Sequence, residues 1–280
     1  MPTALADADL LVSSASTIAV ILAAMILVAF VEIVIPLHRR NRWNALHLAP
    51  NRTLTFITFA TNIVFNVAVV LGLVLLQVKG WGVFNAVHVG PIWGTIAVVA
   101  ALDFAFYVAH VSMHKVPAFW RAHSVHHADP AVDVTTTIRQ HPLEGLIRYA
   151  FIVLFALPLG ASPAAFAIYR SASALNGLLE HANISLPRRL DVALSWITTW
   201  PNVHKVHHSR DRRLTDTNYG NLFSIWDRLF RTFTPADVGA SIEYGLAGTD
   251  RRELQTTAAL LASPFRGEVQ PSSAATATPS

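Results

Sequence analysis

With 280 residues, 53% of them hydrophobic and only 14% charged, the chain falls far short of the charge of a soluble domain, where about a quarter of residues are ionic. The deficit points to lipid exposure. A formal charge of +4 is modestly basic, but the basic residues gather beside apolar segments rather than in one patch, which excludes nucleic-acid binding and suits membrane flanks. With no cysteine, neither a disulfide framework nor a cysteine-ligated zinc or iron–sulfur site is available.

Residues 1–16 are polar and mildly acidic, with no basic region and no cleavage site behind the apolar run that follows; a retained anchor is expected rather than a removed signal peptide. Four stretches reach or approach the roughly 20 apolar residues that cross a bilayer. The first is 17–37, broken only by Glu32, and the second is 56–78, with Asn62 and Asn66 one turn apart. The third is 92–114. The fourth, 145–181, exceeds a single span and is interrupted by Pro158, Gly160 and Pro163, so it reads as a helical hairpin with arms 146–157 and 163–179. Arg39, Arg40, Arg42 and Arg52 lie between the first two spans, Lys79 alone follows the second, Lys115 and Arg121 follow the third, and Arg188 and Arg189 follow the hairpin. Basic loops face the cytoplasm, so the N-terminus is expected outside and every histidine cluster inside. Past Phe233 the chain becomes less apolar, and 271–280 is expected to be disordered. The predicted fold is all-α: an integral membrane helical bundle of about four spans, the last a hairpin, with a cytoplasmic helical cap carrying a histidine-rich dimetal site. Three segments are expected, 1–91 with the first spans, 92–233 as the catalytic unit and 234–280 as an extension.

Eight of the thirteen histidines fall in three clusters, His110 and His114, then His123, His126 and His127, then His204, His207 and His208. Spacings of three and four set each cluster on one helix face. Burying such rings without partners costs a few kcal/mol, and coordination removes that cost. Eight convergent nitrogens are too many for one ion and suit two. Imidazole fits zinc, iron, copper or nickel; a structural zinc needs four ligands and usually cysteine. The number of rings suits two redox-active irons with a position left for O2, although ligand type alone leaves copper and zinc open. His181, closing the hairpin, is expected as a ninth ligand. His141 fits a ligand, an outer-layer donor or a loop fastener, and His38, His47 and His88 read as lone loop histidines. Asp103, two turns before His110, is either a buried polar helix contact or the acceptor for the free N–H of a coordinated ring, and a carboxylate inside a span favours the second. A membrane metal-dependent hydrolase would need an HExxH-type base, which is absent; a metal transporter would place its ligands at mid-membrane rather than beyond the span ends.

The order HxxxH, HxxHH, HxxHH resembles the membrane fatty acid hydroxylase/sterol desaturase superfamily. The flanks extend the match: Asp103 to His110, Phe119 to His123, Arg139-x-His141-Pro142-x-Glu144, His181-Ala-Asn183, and His204 through Asn218-Tyr219-Gly220 to Trp226-Asp227. The resemblance implies a non-haem di-iron centre held by the eight motif histidines, with His181 as a further ligand, using O2 as co-substrate to hydroxylate or desaturate a lipid. Asp103, His141, Asn218 and Asp227 are expected around the ligands. Sterol-like, fatty acyl, carotenoid-like and alkylglycerol lipids all suit an apolar entry, and a separate donor of cytochrome b5, ferredoxin or reductase type is expected. Zinc could occupy the site in purified protein. Two positions depart from the pattern: Val111 replaces a common basic residue, and Gly177 stands where hydroxylase-branch relatives often carry another histidine.

Overall fold

The computed structural model describes residues 2–39, 44–87, 89–236 and 242–266; Arg40, Arg42, His88 and the segment 271–280 lie outside them. Among the described residues all regular structure is helical, with two isolated bridges, Pro36 to Ile184 and Ser209 to Tyr244, and no strand. In chain order α1 (Pro2–Val34) and α2 (Asn44–Val78) are followed by a short α3 (Val83–Val87), α4 (Pro91–Lys115), α5 (Pro117–His127), α6 (Pro142–Leu159) and α7 (Pro163–Glu180). Five shorter helices follow, α8 (Arg188–Leu194), α9 (Pro201–His207), α10 (Arg212–Thr215), α11 (Ile225–Leu229) and α12 (Thr257–Ala262). Four segments are long and apolar enough to span a membrane: 16–34, 47–87, 91–115 and 142–159. α2 starts well before residue 56 because its polar first turns carry His47 and Asn51 into a buried network beside Asp129. His47 is therefore a fully buried helical residue and not a lone loop histidine.

The expected hairpin arms correspond to α6 and α7, but each packs chiefly on α4 rather than along the other. Both begin with proline at the first helical position, where the missing N–H is not needed. Ser162 caps α7 by accepting from the Ala165 amide. The turn between them requires glycine: Gly160 has φ 65°, and a Cβ there would come within 2.9 Å of the Trp81 carbonyl. The core between α2, α4, α6 and α7 joins Leu73, Leu102, Ile152 and Phe166, with Ala105, Ala109 and Ala156 fully buried. Small residues let helices approach closely where lipid supplies no hydrophobic driving force between them. Ile26, Phe30, Leu71, Leu75, Leu146 and Leu154 face outward, an apolar belt too extensive for a surface in water. Exposed Trp81 and Trp93 mark one rim, and exposed Trp196 lies at the histidine end, as interfacial aromatics do. The end of α1 reaches that same end, where Glu32 Oε1 accepts from the amides of Val134 and Asn183, both at 2.8 Å.

Candidate metal centre

Two prolines build the site. After α4, Pro117 holds Val116 in an extended conformation (φ −96°, ψ 115°), since a residue before proline is pushed out of the helical region. The chain breaks there and α5 folds back, so His123 and His127 meet His110 and His114. Pro201 likewise starts α9 behind an extended Trp200. Nine histidines come together, all buried: His110, His114, His123, His127 and His207 form one nest, and His126, His181, His204 and His208 another.

The partition corrects the expectation that each cluster presents its rings together. On a helix, residues four apart diverge by about 40° and residues three apart by about 60° the other way. His123 and His127 stay in the first nest while His126 turns to the second; His204 and His208 stay in the second while His207 crosses to the first. Each triplet thus contributes to both nests, and His181 stands in the second on the same terms as the motif histidines.

The hydrogen-bond chemistry inside the nests cannot be satisfied by protein alone. Nδ1 of His110, His181 and His207 lies 2.8, 2.8 and 2.7 Å from the carbonyls of Tyr219, Gly177 and Thr217. A carbonyl only accepts, so these Nδ1 atoms carry the proton and the opposite Nε2 atoms are bare. In the second nest Nε2 of His181 lies 3.0 Å from that of His126 and 3.1 Å from that of His204, which lies 3.2 Å from that of His208. His204 cannot both donate its Nε2 proton to His181 and accept one from His208. The first nest repeats the conflict, with Nε2 of His123 lying 3.1 Å from His110 and 3.2 Å from His127. A cation converts every such clash into attraction. Two nitrogens on one ion at about 2.0–2.1 Å, 90–109° apart, sit roughly 2.9–3.4 Å from each other, the separations found here. Nε2 of His207 and both nitrogens of His114 are buried without a hydrogen bond, and the donor set fits a metal in each nest. Burial pushes the rings of His126, His127, His204 and His208 well below the usual histidine range, and those of His181 and His207 down to about 3. The neutral form, the one that ligates, is therefore dominant at pH 7.

Around the rings, Glu144 Oε2 lies 3.4 Å from Nδ1 of His123, and Asp216 Oδ1 lies 3.4 Å from Nδ1 of His114. Asp103 makes buried polar contacts, the first of its two readings. Its carboxylate accepts from the amides of Leu222 and Phe223 and from Nε1 of Trp226, at 2.9, 3.1 and 2.8 Å, pinning the 222–226 loop onto α4 instead of meeting a ring. His141 caps α6, its Nδ1 accepting from the Leu143 amide, and its Nε2 meets the Leu261 carbonyl at 3.2 Å. It is a fastener outside both nests. Asp227 acts one step back, taking the amides of Tyr219 and Gly220, each at 2.8 Å. Asn218, at φ 55°, bonds Val203 and Thr234 and so ties α9 to the chain after α11.

Three residues escaped sequence reasoning. The Tyr219 ring lies 5.1 Å from that of His114, and Trp120 lies 5.0 Å from it on another side. Fully buried Lys205 donates to the carbonyls of His181 and Ala182, where a cation offsets the C-terminal dipole of α7. Trp120 and Lys205 lie beside or inside the histidine motifs and Tyr219 eleven residues past the last of them, but only contacts reveal their roles. Gly177 earns its place too: a Cβ there would stand 3.1 Å from Thr137 Cγ2, so the departure from a histidine coincides with tight packing.

Two buried all-histidine nests, each able to hold a metal ion, at one end of a lipid-facing helical bundle, define a class of histidine-rich membrane proteins. Comparison with known families agrees, because the fatty acid hydroxylase family profile matches residues 95–232. Alkylglycerol monooxygenase of Caenorhabditis elegans is 29% identical over 170 residues, 59% of this chain and 32% of that protein. The Homo sapiens alkylglycerol monooxygenase is 29% identical over 168 residues (60% and 36%), and ornithine lipid hydroxylase OlsE of Rhizobium tropici is 32% identical over 146 (52% and 43%). The matches span less than half the length of these relatives. No solved structure gives a significant match. Residues 95–232 form a fatty acid hydroxylase domain, and the relatives it matches fall in the fatty acid hydroxylase/sterol desaturase superfamily.

Proposed function

We propose that this protein is an O2-dependent lipid hydroxylase whose nine clustered histidines hold two irons, five rings on one and four on the other. The observation that carries the reading is that the nests open into a cavity of about 390 Å³, where His110, His123, His126, His181 and His204 share a wall with Phe59, Val70 and Phe166. The size suits a lipid chain, and residues of α1, α2 and α7 border it, giving a route from the bilayer. The relatives' names, alkylglycerol monooxygenase and ornithine lipid hydroxylase, favour hydroxyl insertion into a lipid over desaturation. When bound, an iron pair supplies activation of O2 for attack on an unactivated C–H bond.

The chain's own residues do the rest. Backbone carbonyls of Tyr219, Gly177 and Thr217 fix three ring orientations, and Glu144 and Asp216 face two more rings. Phe106, Met113 and Phe166 border the lipid path and keep water from the rings. Residues 92–233 form the catalytic unit in this reading, with 1–91 completing the cavity wall. Basic Arg39 follows α1, Lys115 ends α4 and Arg188 starts α8, all at the ring end, so we place the centre on the cytoplasmic side, within reach of a cytochrome b5-, ferredoxin- or reductase-type donor. The alternative of a hydrolase or transporter lacks support, since the rings lie at the helix ends and no HExxH base is present.

The test is anaerobic purification with iron, metal counting, and turnover of membrane lipid under 18O2 with a supplied electron donor. Two irons per chain and one labelled oxygen in the product are expected. Equal lipid turnover under argon would overturn the reading, and so would zinc supporting the same rate as iron.

A further inference from the structure

The cavity beneath the rings is not uniformly apolar. Arg148 of α6 and Arg170 of α7 both line it, and the Nε of each is buried without a hydrogen-bond partner. Arg148 is partly engaged, with Nη2 on Gln140 Oε1 at 2.5 Å and Nη1 3.8 Å from Glu144 Oε1. Arg170 lies over the Tyr149 ring at 5.0 Å, and among the described residues no carboxylate comes within ion-pair distance of it. The cavity's carboxylates, Glu144 and Glu180, stand against the rings, 3.4 Å from Nδ1 of His123 and 3.8 Å from Nδ1 of His181. Charge is thus graded along the cavity: Glu180 and Glu144 stand against the rings, Arg148 lies within reach of Glu144, and Arg170 stands apart from both carboxylates. Eleven residues of α7 separate Arg170 from His181, roughly 16 Å of helix axis.

A guanidinium inside an apolar bundle without a counter-charge is costly and marks a place where a ligand completes the site. Its planar fork of donors matches the paired oxygens of a carboxylate or phosphate. We infer that Arg170, with Arg148 beside it, receives the acidic group of a lipid, a carboxylate or a phosphate monoester, inside this cavity. The assignment rests on the cavity being the lipid site, and it selects acidic lipids from the classes that an apolar path alone admits.

The test is equilibrium binding of palmitate, hexadecyl phosphate and hexadecanol to the full chain in phosphatidylcholine nanodiscs. At least one acid is expected to bind about tenfold or more tighter than the alcohol, the effect of a hydrogen-bonded charge pair. Preference for palmitate alone identifies a fatty carboxylate, and preference for hexadecyl phosphate alone a phosphate lipid. Arg170→Gln is expected to abolish the preference and Arg170→Lys to retain part of it. Equal binding of all three by the wild-type chain, a result independent of any variant's folding, would overturn the inference. So would an Arg170→Gln protein of unchanged melting temperature that still prefers the acids. Binding is read without turnover, so O2-dependent oxidation of a neutral lipid alongside equal binding would sink this inference and leave the oxygenase reading standing. Acid-selective binding without oxidation would do the reverse.

Discussion

Nδ1 of His110 donates to the Tyr219 carbonyl at 2.8 Å, although the two residues stand 109 positions apart. The Tyr219 peptide is held in turn by Asp227, which takes its amide and that of Gly220. Ring orientation in the first nest therefore depends on a carboxylate that touches no ring. Backbone serves as the intermediary, and the device recurs at His181 and His207.

Asp227→Asn removes one of the two oxygens that hold that turn, so His110 loses a fixed aim while remaining present. Outer-layer partners of metal ligands are worth about 10- to 100-fold in affinity. Chelator competition on the iron- or zinc-loaded protein should show a loss of that size with helical content unchanged. Wild-type affinity in Asp227→Asn would show that the turn holds its shape without the carboxylate.

The five-and-four partition predicts unequal losses. His126→Ala or His204→Ala leaves three rings in the second nest and five in the first. Metal counting should fall from two ions per chain to about one. His38→Ala, which removes a contact to the Tyr244 hydroxyl at 3.0 Å, should leave two. Loss of both ions from His126→Ala would mean that the nests bind only as a unit.

Asp129 sits directly behind the second cluster, fully buried. Burial pushes its carboxyl up, but Arg139 and His47, with Asn51 donating at 2.8 Å, hold it well below the usual carboxylate range. Arg139 is buried as well, donating to Asn51 Oδ1 at 2.8 Å and Gln255 Oε1 at 2.7 Å. Asp129→Ala leaves that guanidinium without its counter-charge, a loss of about 3–5 kcal/mol. Thermal unfolding in detergent should show it, and Arg139→Met in the same chain should recover part. Additive losses in the double variant would deny the coupling.

Acid should weaken the metal-free protein. The rings of His181 and His207 titrate near 3 when folded and near the ordinary 6.5 when unfolded. Between those values the unfolded chain binds protons that the folded chain refuses, so stability is full above about pH 6.5 and declines as pH falls toward 3. Melting temperature of apoprotein from pH 8 to pH 5 should drop steadily, and bound metal should flatten the decline until acid strips it. A pH-independent apoprotein would contradict the burial of these rings.

Much of the architecture was legible in the chain because its signals are local. Apolar runs set the spans, and glycine and proline set the break at Gly160 and Pro163. The gathering of the imidazoles was legible because spacings of three and four set them close together on short helices. What stayed open or was misplaced shares one cause. Asp103, His141 and His47 all have partners far along the chain, at Leu222, Leu261 and Asp129 respectively, and no local pattern aims a side chain across such gaps.

What the amino-acid order determined alone was a membrane helix bundle with a metal-binding end, since hydropathy and helical periodicity act over a few turns. Which ring joins which nest, which carboxylate faces a ring and which pins a turn, and where Arg170 meets the cavity were settled only when α4, α5, α7 and α9 packed together. Those relations depend on the angle at which one helix face meets another. That angle comes from contacts between residues distant in the chain.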